Sequence, residues 1–127
     1  MKLRSTIILA FLVFTGCKQS ENPIIQYAKL SIDIESDFQN DSVQLRLDKD
    51  EIYRGKLTTN YILGVAWSSG LKDYSVGLHI LDFTITNYSL KEVYNFRLTD
   101  TLTVTIRFDR QQKLVYFRKY DGMIWRK

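Results

Sequence analysis

Few side chains in this 127-residue chain have the chemistry to act on another molecule. There is one histidine, His79, and one cysteine, Cys17, beside two acidic clusters, "DFQND" from Asp37 to Asp41 and "DKDE" from Asp48 to Glu51. A lone histidine can serve as a general base or as one metal ligand, but it cannot build a multi-histidine zinc site. His79 stands in "GLHILDFTI" at the same alternate spacing as Leu81 and Phe83. That spacing predicts a satisfied, partly buried side chain on an apolar strand face. Serines are plentiful, yet "GxSxG" is absent and nothing in the spacing places a serine beside His79. Ser-His-Asp hydrolysis is therefore not expected.

The acidic clusters fall where loops are expected, and oxygen-rich loops at one end of a β domain can take calcium. The EF-hand spacing is missing, no glycine shapes either loop, and Asp and Asn are good turn formers in their own right. Turns are the expectation, with no metal and no cofactor. Glycoside hydrolysis would need two carboxyls about 5 to 9 Å apart across a cleft, which spacing along the chain does not show. Eight tyrosines and two tryptophans are spread from Tyr27 onward. Such side chains serve either cores or protein and sugar surfaces. Trp67, within "GVAW", is expected in the core. The last ten residues, "RKYDGMIWRK", set Tyr120 and Trp125 among Arg118, Lys119, Arg126 and Lys127. Trp125, Tyr120, Asp48 and Asp50 are the candidate ligand contacts.

Cys17 belongs to a different setting. "MKLR" is short and basic, "TIILAFLVF" is apolar, and "TGC" is small and ends in the cysteine. Basic, apolar and small regions in that order are those of a secretory signal peptide. The apolar run is about half the roughly 20 residues a membrane-spanning helix needs. "FTGC" resembles the lipobox of bacterial lipoproteins, with Thr15 and Gly16 fitting its small residues and Phe14 standing where leucine is usual. The resemblance implies a diacylglyceryl group on the Cys17 thiol, cleavage before Cys17, and acylation of the new amino group by a fatty acid such as palmitate. Two or more chains give stable anchoring where one gives marginal binding. With no other cysteine in the chain, Cys17 has no disulfide partner.

These expectations divide the chain into a signal peptide (1–16), a lipidated tether (17–26) and a domain (27–127). Lys2 and Arg4 supply part of the formal charge of +4, and without the signal peptide the side chains come to +2. That is no nucleic-acid footprint. In the domain, "KLSIDIES", "SVQLRLD" and "TLTVTIRFD" alternate apolar with polar residues, and shorter or less regular runs follow the same period. Turn residues separate them at regular spacing. About seven or eight strands so spaced predict an all-β sandwich of two antiparallel sheets. "VQLRLDKDEIYRG" and "VGLHILDFTI" resemble the small β-sandwich modules of exported bacterial proteins, and immunoglobulin-like and transthyretin-like domains share this plan.

The expected function is a non-enzymatic binding or structural module anchored by lipid in a bacterial envelope, most simply at the outer membrane. Its partners would be the membrane and an envelope protein or glycan. The alternatives are a small envelope hydrolase using loop carboxylates and a secreted inhibitor or immunity-type protein. Oligomeric state does not follow from the residues.

Overall fold

Alternation puts every second side chain on one face of an extended segment, and two such apolar faces bury each other. The computed structural model describes residues 24–122. Its strands are β1 (Tyr27–Ile34), β2 (Asp41–Leu47), β3 (Asp50–Leu57), β4 (Trp67–Ser68), β5 (Lys72–Ser75), β6 (Gly77–Ile85), β7 (Leu90–Leu98), β8 (Leu102–Asp109) and β9 (Leu114–Asp121). A 3-10 turn, Thr86–Tyr88, joins β6 to β7. The chain forms the expected all-β sandwich. β5 is an addition to the expected strands: "KDYS" is mostly exposed and has no apolar alternation, and it exists through its backbone pairing with β1.

One sheet has the order β3-β2-β6-β7 and is antiparallel throughout. The other has the order β4-β1-β8-β9, with β5 continuing on the β4 side of β1. In this second sheet β1 and β8 run parallel, from Leu30 opposite Leu102 to Ile34 opposite Ile106. The sheet is therefore mixed rather than purely antiparallel. Parallel neighbours need a long crossover, and here the whole first sheet intervenes in sequence between them.

Between the sheets lie Leu30, Ile32 and Ile34 of β1, Val43, Leu45 and Leu47 of β2, and Leu81, Phe83 and Ile85 of β6, all buried. Val104, Ile106 and Phe108 of β8 face them. Phe38, from the β1–β2 connection, is fully buried and packs 5.9 Å from Phe83 and 5.7 Å from Phe108. The long edges are closed by aromatic pairs, Tyr94 on Phe117 at 5.0 Å and Tyr53 on Trp67 at 5.2 Å. Trp67 is partly buried against the core.

The described chain begins and ends at the same end of the sandwich. Tyr27 pairs with Ser75, and the Gly122 N–H donates to the Thr101 carbonyl at 2.8 Å. This proximal end also holds the two-residue turn between β2 and β3. The distal end carries the segments 35–40, 58–66, 86–89 and 110–113.

Candidate functional site

At the proximal end, β6 points His79 inward in register with Leu81 and Phe83, and the ring is 4% exposed. It stacks 5.7 Å from Phe96 and meets Tyr74 edge-on at 6.2 Å. Its Nδ1 is 2.5 Å from Asp48 Oδ2, and its Nε2 is 2.6 Å from the Ser75 carbonyl oxygen. Both ring nitrogens are thus committed, one to a turn of the first sheet and one to a strand of the second. The other Asp48 oxygen accepts the Ile80 N–H at 2.9 Å, and the Asp48 N–H donates to the Ile80 carbonyl at 2.8 Å. Ser75 offers its carbonyl and not its hydroxyl, so these residues are no nucleophile-and-base set. They form a polar clasp between the two sheets.

A second clasp closes the distal end. Asp41 is 1% exposed. Its carboxylate accepts from the Gln39 N–H at 2.9 Å, from Asn87 Nδ2 at 3.0 Å and from the Arg110 guanidinium. Arg110 also donates to the Tyr88 hydroxyl at 2.7 Å and lies over the rings of Tyr88 and Phe108. Burial works against the Arg110 charge, but the Asp41 carboxylate beside it prevails and holds the guanidinium above its ordinary value. Asp41 opens β2 and Arg110 follows β8, so this bond also joins one sheet to the other.

Beside Arg110 a cleft of about 520 Å³ opens, bordered by Ser36, Asp37, Arg107, Asp109, Gln111 and Tyr116. A hollow of about 300 Å³ shares Arg107 and Tyr116 with it and adds Phe117 and Arg118. Arg107 and Tyr116 are cross-strand partners. The Tyr116 side chain is 48% exposed, while Arg107 reaches toward Glu35 at 3.7 Å. Asp37 accepts the Tyr61 hydroxyl at 2.5 Å, and that bond pushes the Tyr61 phenol up from its usual range. Tyr61 begins an apolar loop tip in which Ile62 is 89% and Leu63 54% exposed.

The residues singled out from the sequence scatter. Asp48 is tied to His79, and Asp50 is exposed on β3, at one long edge of the sandwich. Tyr120 lies on β9, at the opposite long edge, where its hydroxyl accepts from Arg118 at 3.3 Å. Asp48, Asp50 and Tyr120 therefore make no common site. Trp125, Cys17, Phe14, Thr15 and Gly16 lie outside the described residues. Among the described residues, no group of three or more His, Cys, Asp or Glu is placed to hold a metal ion, and no helix is long and apolar enough to cross a membrane. What sequence reasoning missed is the distal cleft. Its advance signals were Asp37 of "DFQND" and the stretch "RFDRQQK", both of which read as ordinary turns. In comparison with known proteins, the chain matches no family model, no curated protein and no solved structure.

Proposed function

We propose that this chain is a lipid-anchored, non-enzymatic binding module of a bacterial envelope, held at a membrane through Cys17 and presenting its distal end to an envelope protein or glycan. The observation that carries this reading is the polarity of the domain. The chain that leads from Cys17 enters β1 at the proximal end, whereas the cleft around Tyr116 and the apolar tip at Ile62 stand at the distal end. β1 separates the two by eight residues, or about 25 Å at strand rise. A tether at one end and accessible recognition chemistry at the other suit a displayed module. For the domain itself we propose the transthyretin-like plan. Immunoglobulin domains keep their first two strands in one sheet, while here β1 and β2 lie in opposite sheets.

The hydrolase reading retains one foothold, because Asp37 and Asp109 border the same cleft. Release of reducing ends from a bound polysaccharide would favour it over binding alone. The anchor is tested by intact mass of the chain from bacterial membranes beside Cys17→Ala. The expected wild-type mass begins at Cys17 with added acyl chains, and the variant lacks them. An unmodified, released wild type would sink the anchored reading.

A further inference from the structure

Resting on the reading of a displayed binding module, we propose that the distal cleft and the hollow beside it form a subsite for a carbohydrate chain, with Tyr116 as its platform. Three observations converge on this. Tyr116 offers a ring that is 48% exposed on the outer face of edge strand β9, and a flat apolar body with a polar tip suits the C–H face of a sugar ring. Around it stand acceptors, Asp37 and Asp109, and donors, Arg107 and Arg118, with Gln111 able to do both. A sugar hydroxyl both gives and takes a hydrogen bond, so it needs this mixture. The two depressions share Arg107 and Tyr116 and so adjoin at that cross-strand pair, a track of two neighbouring hollows that suits a chain rather than a single small molecule.

Charge selects among polyhydroxylated ligands. Asp37 and Asp109 stand against Arg107 and Arg110 in the cleft and Arg118 in the hollow, while Glu35 and Asp41 are paired to Arg107 and Arg110. A densely anionic polymer would meet two carboxylates there, so the track suits a neutral or weakly acidic sugar chain. The walls are also fixed in advance. The Asp37 N–H donates to the Phe108 carbonyl at 2.8 Å, and Arg110 is held by Asp41. The backbone beside the cleft and the Arg110 side chain then need little ordering when a ligand docks.

The test uses the full chain in detergent micelles, applied to immobilised bacterial envelope polysaccharides and to oligomers of glucose and of N-acetylglucosamine. Wild type is run beside Tyr116→Ala, Tyr116→Phe, Asp109→Asn and Ile62→Ser, each with its urea midpoint measured to show that it folds. The expected result is retention on at least one carbohydrate. Tyr116→Ala and Asp109→Asn weaken it about tenfold, and Tyr116→Phe and Ile62→Ser leave it near wild type. Retention on none, retention indifferent to Tyr116→Ala, or loss on Ile62→Ser, which would place the contact at the loop tip instead of the cleft, overturns the proposal. A chain that carries lipid at Cys17 but is retained on no carbohydrate loses only the subsite. A chain without lipid that is retained through Tyr116 loses only the anchor.

Discussion

Asp41 and Arg110 illustrate what a single buried charge demands. The Asp41 carboxylate is 2% exposed and its guanidinium partner 23%, so removing one member strands the other in a poor solvent for charge. Asp41→Asn should destabilise the fold by about 3 kcal/mol, read as a lower urea midpoint at pH 7. Replacing both members, as Asp41→Asn with Arg110→Met, should cost less than Asp41→Asn alone, because no uncompensated charge then remains and the amide oxygen can still accept from the Gln39 N–H or Asn87. His79→Leu removes the ring that bridges Asp48 and the Ser75 carbonyl, and should cost roughly 2 to 4 kcal/mol in the same measurement. At this scale the sequence was half legible. The burial of His79 follows from its sharing a strand face with Leu81 and Phe83. Its partner Asp48 lies 31 residues away in the turn between β2 and β3, and Arg110 lies 69 residues from Asp41. Periodicity along a strand reports which face a residue occupies and carries nothing about what arrives from elsewhere in the chain.

Between β2 and β3 the turn residues Asp48 and Lys49 have φ values of 51° and 73°, the left-handed pair that closes a two-residue hairpin with the right twist. Lys49 makes no bond that requires its side chain to be there, so Lys49→Gly should raise stability by about 0.5 to 1 kcal/mol through relief of that conformation. Asp48→Gly relieves the same backbone yet destroys the clasp on His79, and should lower stability instead. Both are read as shifts in thermal or urea midpoint. Tyr74 of β5 and Tyr94 of β7 are held above the ordinary phenol range, Tyr74 by burial and the nearby Asp48 charge, Tyr94 by burial. In the unfolded chain these phenols ionise near pH 10, while in the fold they keep their protons to higher pH. The folded state then binds more protons, so this stability is complete below about pH 10 and is lost as pH rises through the raised values. Urea midpoints between pH 9 and 12 should fall, and fall less in a Tyr74→Phe, Tyr94→Phe variant. Among the elements, β1, β2 and β8 were legible because each alternates apolar with polar residues, although in β1 and β8 the polar face is covered too, with Ser31, Asp33, Thr103 and Thr105 all buried. β5 was not, since its order comes from the backbone of β1 and not from its own side chains.

Taken as a molecule, the sandwich is closed along its long edges by aromatic pairs and at each end by a charged or strongly hydrogen-bonded bridge between sheets. Its class was legible because alternating runs leave a two-layer packing as the way to bury their apolar faces. The parallel direction of β8 against β1 was not, because alternation reads the same whichever way a neighbour runs. The distal cleft stayed hidden for a related reason: it gathers Ser36 and Asp37 with Arg107 and Tyr116, which meet only once β1 and β9 flank β8. That arrangement of β1 has a mechanical consequence. Its backbone is bonded on both sides, to β8 along one edge and to β5 and then β4 along the other. A pull that enters at Tyr27 against a load held near Gln111 runs along the strand and strains these bonds together, in shear. A pull between Tyr27 and its partner Ser75 opens the β1–β5 ladder one pair at a time, like a zip. Forced unfolding is governed by the unfolding rate rather than by equilibrium stability, so single-molecule rupture should need clearly more force in the first geometry than in the second. A domain moored by its amino-terminal side and gripped at its far end would bear tension in the direction in which it is hardest to tear.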